Sequence, residues 1–378
     1  MIYGFLNVRK KQGCKMGGLK VGVLTFHRCI NYGSYWQARS LIEALQARGH
    51  NASLLNHHSA RVNIAEWKCA FKPVLPMEVP RSDLPLYRQK IENFLSCFKT
   101  LPLSAPFDLD SPSQMEDYDI VVVGSDEVWN LFHPWYGKYP VFYGENIKAK
   151  RIVSYAASFG NYPAMWGLDQ TWSEKLQNFE MISVRDENSW YLVKNATALE
   201  PEVVLDPCLQ FSIKTEKRNL DQLDIPYLAV YGHNFSDHFA ELVKIYGKKN
   251  NLKLVSIGYR NDWADEQWLT ADPHDFANFI SASEAVATNF FHGCVFSLRN
   301  HKPFVCETSD YRSNKVRGLL TQVGGEKHMV NEETPYRVFD MLLTEAIDHS
   351  IYKIIKALRQ SSNAFLDQAL SGLKQVAA

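Results

Sequence analysis

Short apolar runs alternate with helix-like patterns along almost the whole chain, and this alternation constrains the fold more than any other sequence feature. The first unit shows it clearly. Residues 21–25 form an apolar, strand-like run, and apolar residues from Trp36 to Leu45 then recur at helical spacing until Gly49. Such alternation is typical of parallel α/β sheets. A chain of 378 residues, at about 150 residues per domain, has room for two such sheets with additional elements.

Two series of elements are predicted, separated by a charge-rich stretch at about 212–224. Strands are expected at 21–25, near 54–55, and at 120–123, 152–156, 182–184, 203–205, 227–231, 252–257, 285–288 and 303–306. Helices are expected near 36–45, 87–98, 187–194, 236–248, 273–282, 292–299 and 313–322, and the last forty or so residues read as helical throughout. Residues from about 60 to 113 look like an elaboration of the first sheet and carry no recognised motif.

The composition excludes several classes of protein. Lysine and arginine together number 41, as do aspartate and glutamate, so no bulk field draws the chain to nucleic acid or a membrane surface. No uncharged apolar run approaches the roughly 18 residues of a membrane span, and the amino terminus lacks the apolar stretch of a secretory signal. The seven cysteines include no C-x-x-C pair, which favours reduced thiols in a cytoplasmic protein over disulfides or structural zinc.

Ligands of doubly wound sheets bind beyond the carboxyl ends of the strands, so the loops after strands are the candidate sites. In the first, TFHRCINYGSYWQA, Gly33 and Ser34 lie at a helix start, where backbone N–H groups can hold an anion. Simple capping by Asn31 or Ser34 is the alternative. One glycine without G-x-G-x-x-G or P-loop spacing disfavours a dinucleotide or nucleoside triphosphate site.

A second loop, VVVGSDEVWN, places a carboxylate and an indole just beyond a strand. Asp126 could orient a sugar hydroxyl or act as a base, and Trp129 could stack on a sugar ring. The plainer alternatives are a helix cap for Asp126 and a core position for Trp129.

Two further loops carry groups suited to an anion. Arg185 directly follows a strand in ISVRDENS, where its guanidinium fork can grip a carboxylate or phosphate, with Asp186 as the alternative partner. His292 and Gly293 lie in the first turn of a predicted helix, where the imidazole can meet an anion, exchange a proton or cap the helix.

A cluster of cations follows near the next helix start. Arg312, Lys315 and Arg317 form either a solvated surface or a second anion clamp. The other histidines lack the spacing of metal ligands, so no metal site is predicted.

Taken in order, these segments resemble the polysaccharide pyruvyl transferase family. The resemblance covers about residues 21–323 and is carried by NYGSYWQA, VVVGSDEVWN, SYAASFG, SVRDENS, VLDP, TNFFHGCVFSLRNHKPFV and RSNKVRGLL. GSDxVWN and FHGxxFS in this order are fairly specific together, whereas NYG or LDP alone would mean little.

The resemblance implies an α/β, GT-B-like fold in which two doubly wound Rossmann-type domains face a cleft, with C-terminal helices. We expect an N-terminal domain over 19–211 on the acceptor side, a C-terminal domain over 225–340 on the donor side, and a helical segment over 341–378. The implied reaction transfers the pyruvyl group of phosphoenolpyruvate to a saccharide as a ketal, in cell-surface glycan biosynthesis. The expected acceptor is a saccharide or glycolipid precursor. No metal, dissolved cofactor or nucleic acid is expected, and peripheral membrane association and homo-oligomerisation stay open.

The resemblance also implies roles for individual residues. His292 would bind the donor and serve as a proton donor. Asp126 matches the carboxylate of the GSD motif, and our own hypothesis is that it binds a hydroxyl or acts as the base. The other expected donor-binding residues are Arg185, Gly293, Lys315 and Arg312. The expected acceptor-binding residues are Trp129, Asn31, Gly33 and Ser34.

One departure from the family pattern concerns the donor. Better-studied relatives have an arginine two residues before the histidine, where this chain has Phe290. Because phenylalanine cannot hold an anion, the donor site must take a cation from elsewhere, such as Lys315 or Arg312, or the donor differs in this branch.

Two alternatives to a pyruvyl transferase stay open. A GT-B glycosyltransferase with a nucleotide-sugar donor could use Glu307 and Arg260, although neither lies in a motif. A non-catalytic glycan-binding derivative of the enzyme is the third hypothesis, and the missing arginine supports it.

Overall fold

The computed structural model describes residues 18–76, 78–216, 225–308 and 313–371. In this part of the chain the strands are β1 Lys20–Leu24, β2 Asn51–Leu54, β3 His57–His58, β4 Phe107–Asp108, β5 Tyr118–Val123, β6 Ala149–Ser154, β7 Ser183–Val184, β8 Glu202–Val203, β9 Tyr227–Tyr231, β10 Lys253–Ile257, β11 Glu266–Trp268, β12 Ala285–Thr288, β13 Phe304–Glu307 and β14 Met329–Val330.

The helices follow the same alternating order. They are α1 Tyr32–Ala47, α2 Ala60–Phe71, α3 Leu84–Phe98, α4 Gln170–Leu176, α5 Glu187–Ala196, α6 Pro207–Gln210, α7 Asp237–Lys249, α8 Pro273–Ala282, α9 Phe291–Arg299, α10 Ser313–Val323, α11 Tyr336–Thr344 and α12 His349–Ser371. Short 3₁₀ turns lie at Arg81–Asp83, Pro112–Gln114, Pro140–Tyr143, Ala164–Trp166 and Glu326–His328.

Two parallel sheets organise the described residues. The first has the order β2-β1-β5-β6, and single bridges continue it from β6 toward the β7-β8 pair. The second has the order β11-β10-β9-β12-β13-β14, with every neighbouring pair parallel. The central strands are buried apolar runs such as YDIVVV and YLAVY, as expected for sheets covered by helices on both faces. The chain therefore has an α/β fold built on two parallel sheets.

The strand order of each sheet locates a crevice. In the first sheet the chain leaves β1 toward β2 on one side and later returns to β5 on the other. In the second sheet β9 lies between β10 and β12 in the same way. Loops that leave two such neighbouring strands in opposite directions open a gap at the strand ends, where ligands bind. The loops after β1, β5, β9 and β12 are therefore the ones positioned for function.

Contacts from α1 and α3 join the two sheets. On α1, the Trp36 indole donates a 2.7 Å hydrogen bond to the carbonyl of Pro273, and the Tyr32 ring stacks on Phe276 at 4.6 Å. From α3, the Asn93 amide donates to the carbonyl of Thr270 at 2.7 Å. These contacts hold the carboxyl ends of the two sheets at a set separation.

The long C-terminal helix α12 returns to the first sheet. Its Ser362 hydroxyl accepts a 3.0 Å hydrogen bond from the backbone N–H of Leu205. Its Asp367 pairs with Arg48 at 2.8 Å. The helix therefore braces the segment that leads into Asp206.

The structure departs from the predicted elements in a few places. Strands β3, β4, β11 and β14 and helices α2, α4 and α6 were not predicted, and each of these strands is only two or three residues long. The carboxyl-terminal residues are not helical throughout, since α11 ends at Thr344 and α12 begins at His349. Most of the predicted boundary, residues 217–224, lies outside the described residues.

Two expectations about the chain as a whole can be compared with the structure. No disulfide joins the six cysteines that the structure describes, and Cys14 lies outside them. Among the described residues, no helix combines the length and apolarity needed to cross a lipid bilayer.

Candidate active site

The loop after β1 brings α1 against the second sheet. Asn31 caps the helix, and its side-chain oxygen accepts from the N–H groups of Gly33 and Ser34 at 2.9 and 3.1 Å. The amides proposed for anion binding are therefore occupied by the cap. Gly33 matters for another reason: a Cβ there would lie 1.9 Å from Nδ1 of His292, so only glycine allows this close approach.

The loop after β5 turns back sharply at Asp126, which has a φ of +75°. The Asp126 carboxylate accepts a 2.7 Å hydrogen bond from the Ser34 hydroxyl and a 2.9 Å hydrogen bond from the N–H of Glu127. Arg185 lies 3.5 Å from Oδ1, the oxygen that accepts from Glu127. Asp126 thus acts as a buried junction between the loop, α1 and the guanidinium.

Trp129 does not lie in the cleft, contrary to the prediction that it stacks on a sugar. Its side chain is 0% exposed and packs among aromatic residues of the first domain, such as Phe159 and Phe179. Its indole N–H donates to the carbonyl of Phe142 at 2.7 Å. The core position that the sequence left open is the correct one, because the loop after the sharp turn folds back under the sheet.

Arg185 follows β7 and is 3% exposed. Its guanidinium lies 3.2 Å from Asp206 and 4.5 Å from the centre of the Phe291 ring. Burial by itself lowers the pKa of Arg185, but the carboxylates of Asp126 and Asp206 raise it, so the charge is retained. Its Nε has no hydrogen-bond partner in the described structure and remains a buried donor. Asp186, the alternative partner, instead caps α5 through the N–H of Ser189.

His292 lies in the first turn of α9, on the second sheet, yet it meets the same carboxylate as Arg185. Its Nε2 is 3.7 Å from Asp206, beyond hydrogen-bond distance, and has no other partner in the part of the chain that is described. Asp206 follows β8 and caps α6 by accepting from the N–H of Cys208 at 2.9 Å. Burial alone would raise the pKa of Asp206. His292 and Arg185 outweigh this effect, and the pKa is lowered to about 2. A guanidinium and an imidazole, from opposite sides of the cleft, therefore meet at one carboxylate.

The same corner contains a set of atoms with metal-ligand chemistry. Ligand atoms of Asp206, Cys208 and His292 lie within 4.8 Å of one another, and all three residues are buried. Arg185 contacts the Asp206 oxygen that also faces His292, and a guanidinium at that oxygen opposes a second cation. Burial also raises the pKa of the Cys208 thiol, which disfavours the thiolate that a metal requires. The guanidinium and the thiol therefore both disfavour a metal ion at this corner.

The predicted cation cluster is only partly present. Lys315 reaches across from α10 and pairs with Glu127 at 2.9 Å, so its charge is already compensated. Although burial raises the pKa of Glu127, Lys315 lowers it to about 2. Arg317 lines a different cavity, between α5 and α10. Arg312 lies outside the described residues.

A cavity of about 360 Å³ opens between the carboxyl ends of the two sheets. Its walls include six predicted site residues: Asn31, Ser34, Asp126, Arg185, His292 and Lys315. They also include Glu66, Lys90 and His133, ionisable residues that the sequence analysis did not single out. Gly33, Gly293 and Trp129 do not line it.

Glu66 and Lys90 come from the insertion between β2 and β5 in which no motif was recognised. Burial raises the pKa of Glu66, whose carboxylate accepts from the indole of Trp135 at 2.7 Å. The sequence did contain an indication that Lys90 faces inward. Lys90 lies three residues after Tyr87 and four before Phe94, on the apolar stripe of the predicted helix. A lysine in such a stripe indicates either a snorkelling side chain or a buried charge with a function.

A family model described as polysaccharide pyruvyl transferase matches residues 31–311 of the chain. A search of curated protein sequences found no significant match to the chain.

Solved structures are similar to the chain in fold. The UDP-GlcNAc 2-epimerase from Neisseria meningitidis is 11% identical, with 92% of this chain and 100% of that chain covered and a TM-score of 0.51. Arabidopsis thaliana UGT89C1, solved with UDP-L-rhamnose, is 10% identical, with 94% and 98% covered and a TM-score of 0.48. The likeness to the epimerase shows a GT-B fold, as predicted, and at this identity it shows the fold alone.

Proposed function

Because the chain belongs to the polysaccharide pyruvyl transferase family, we propose that it transfers the pyruvyl group of phosphoenolpyruvate to a saccharide as a ketal. The donor would occupy the 360 Å³ cavity between the sheets. One observation carries the proposal: Arg185 and His292, from opposite sheets, meet at Asp206 with a buried N–H or ring nitrogen left unpaired on each. Phosphoenolpyruvate carries a carboxylate and a phosphate, both of which such groups bind.

The reaction needs one acid and one base. The enol methylene of the donor takes up a proton and becomes a methyl group, which leaves the adjacent carbon open to attack by two sugar hydroxyls. Two carbon–oxygen bonds to the sugar form, the bond to phosphate breaks, and the hydroxyl protons leave to a base and to the departing phosphate. His292 is proposed as the proton donor, since imidazole exchanges protons near neutral pH.

Asp126 is proposed to position rather than to catalyse. Its carboxylate already accepts from Ser34 and faces Arg185, so it orients the guanidinium that binds the donor. Asn31 and Ser34 line the cavity beside it and are proposed to face the acceptor.

Two exposed aromatic side chains are proposed for the acceptor role that the buried Trp129 cannot take. Phe132 and Trp166 are 57% and 58% exposed, and their rings lie 5.4 Å apart. Phe132 closely follows Asn130, which lines the cavity. We propose that these rings stack on the acceptor saccharide, since sugars pack their apolar faces on exposed aromatic rings.

The test is a product assay with phosphoenolpyruvate and a panel of saccharides. Phosphate release and the ketal methyl signal are measured together by NMR, and equal amounts of both are expected. His292→Gln should lower the rate by about 100-fold, the size of an acid–base contribution, whereas the exposed His238→Gln should not. Trp166→Ala should raise the KM for the saccharide but not for phosphoenolpyruvate. No phosphate release with any saccharide would overturn the proposal.

The remaining proposals concern cofactor and location. We propose that the reaction needs no metal and that it takes place in the cytoplasm. Chelation with EDTA should leave the rate unchanged; a loss restored by a divalent ion would assign the Asp206, Cys208 and His292 corner to a metal instead.

A nucleotide-sugar donor is less well supported. The Glu307 carboxylate accepts from the Ser236 hydroxyl at 2.6 Å, and the guanidinium of Arg260 is paired with Asp83. Both residues suggested for a nucleotide therefore have other partners. Consumption of a UDP-sugar in the same assay, without phosphoenolpyruvate, would favour this alternative.

A further inference from the structure

Lys90 is a buried cation in the wall of the cavity. Its side chain comes from the middle of α3, is 2% exposed and reaches the second sheet. There its ammonium donates a 2.9 Å hydrogen bond to the carbonyl of Gly258. The Tyr259 ring lies 4.4 Å away and the Tyr32 ring 5.1 Å away. Lys90 and His292 line the same cavity.

No carboxylate among the described residues compensates this charge. Asp83, seven residues before Lys90, instead accepts a 2.9 Å hydrogen bond from the guanidinium of Arg260. The other ionisable groups around the ammonium are the Cys69 thiol of α2 and the phenols of Tyr32 and Tyr259. Burial lowers the pKa of Lys90 to about 7, although the nearby Cys69 thiol acts in the opposite direction. An ammonium has three N–H donors, and the carbonyl of Gly258 uses one.

The surroundings hold this ammonium in place. Gly258 has a φ of +73°, and a Cβ there would meet the Tyr32 hydroxyl at 2.6 Å, so the tight turn requires glycine. The turn presents its carbonyl to Lys90. On the next turn of α3, Asn93 is bonded to the carbonyl of Thr270 and fixes the helix against the second sheet.

We propose that Lys90 binds an anionic group of the donor, either its carboxylate or its phosphate. The inference rests on the proposed function and adds a cation that the family resemblance did not supply. A buried, uncompensated charge is costly in the empty protein. An anion in the cavity would accept the remaining N–H donors and remove that cost. The arrangement is thus complete with an anionic ligand bound and incomplete without one.

The test measures ligand affinity by isothermal titration calorimetry with three probes: phosphoenolpyruvate, inorganic phosphate and pyruvate. Lys90→Met removes the charge and keeps the length of the chain. Lys90→Gln also removes the charge but retains an N–H for the carbonyl of Gly258, in case the first variant folds poorly. Lys150→Met, at an exposed surface lysine, controls for the change in net charge. Thermal midpoints are recorded for all variants.

We expect either Lys90 variant to bind phosphoenolpyruvate at least about tenfold more weakly, the effect of losing a charge-assisted hydrogen bond. Weaker binding of phosphate alone would assign Lys90 to the phosphate, and weaker binding of pyruvate alone would assign it to the carboxylate. The thermal midpoint should stay equal or rise, because an uncompensated buried charge is removed. Unchanged affinity for all three probes, or a lower midpoint with unchanged affinity, would overturn the inference and make Lys90 structural.

The two proposals can fail separately. If the wild-type chain binds phosphoenolpyruvate through Lys90 but forms no ketal, the proposed function fails while the anion site stands. If ketal forms and Lys90→Gln has wild-type affinity and rate, the function stands and the role of Lys90 fails.

Discussion

At the scale of single residues, the candidate site is a row of buried ionisable side chains. Asp126, Arg185, Asp206 and His292 follow one another at contact distances of 3.2 to 3.7 Å. Buried charges are tolerated when each has a partner. The guanidinium of Arg185 is central to this row, because it faces two carboxylates at once.

This position makes Arg185 structural as well as functional. Arg185→Ala should lower the free energy of unfolding by about 3 kcal/mol, since it leaves Asp126 and Asp206 buried without their cation. Urea denaturation measures this, with Arg88→Ala at an exposed helix pair as the control that changes little. A stability loss no larger than that of the control would show that the carboxylates do not depend on Arg185. Donor affinity is then better tested with Arg185→Lys, which retains the charge.

Sequence reasoning located some of these residues and not others, for physical reasons. Arg185 directly follows β7, His292 lies in the first turn of the helix after β12, and the strand ends of parallel sheets converge. Trp129 also follows a strand, but an indole suits a core as well as a cleft, and the pattern cannot distinguish the two. Lys90 was missed because a helical stripe shows which side faces inward, but not what it faces.

At the scale of elements, the approach of α1 to α9 sets the geometry of the site. The two helices belong to different sheets, and Gly33 is the point of contact with His292. Helix position and length were predictable from periodicity: α8 was predicted with its exact bounds, whereas the packing of α1 on α8 was not. Packing between distant segments depends on side-chain fit, which leaves no local pattern in the sequence.

Gly33→Ala tests this contact. An added Cβ at 1.9 Å from the His292 ring must displace α1 or the imidazole, at a cost of about 1 to 3 kcal/mol. We expect the rate of ketal formation to fall at least tenfold. Gly318→Ala, within α10, is the matched control: its added Cβ would lie 3.3 Å from Cβ of Asp186, a much milder contact than at Gly33, so any loss of stability or rate should be much smaller. Wild-type activity of Gly33→Ala would contradict the contact.

At the scale of the whole molecule, two parallel sheets are joined by α1, α3 and ion pairs that include Arg260 with Asp83 and Lys315 with Glu127. Glu127 follows β5 of the first sheet, and Lys315 lies on α10, which is associated with the second. The fold class was predictable from alternation alone, because a parallel sheet needs a crossover after every strand. The relation of the sheets to each other had to be observed.

Acid should weaken the closed arrangement of the sheets. The pKa of Glu127 is held at about 2 in the folded protein, below the ordinary value of 4.5. Its stabilising effect of about 3 kcal/mol is therefore full above pH 4.5 and is lost as the pH falls toward 2. Urea denaturation between pH 3 and 7 measures the free energy of unfolding of wild type and Glu127→Gln. We expect the variant to be less stable by a constant amount above about pH 5, and the difference in free energy to shrink as the pH falls below 5. Glu92→Gln, at an exposed position, should have the stability of wild type at every pH. If the stability loss of Glu127→Gln were the same at every pH, the ion pair would be excluded as its cause.

A crystal structure with phosphoenolpyruvate bound is the most direct test that the two sheets share one anionic ligand. We expect the donor in the cavity between the sheets, with its carboxylate or phosphate within hydrogen-bond distance of both the Arg185 guanidinium and the His292 ring. Density for the donor in the cavity between α5 and α10 that Arg317 lines, or contact with residues of one sheet alone, would contradict this arrangement.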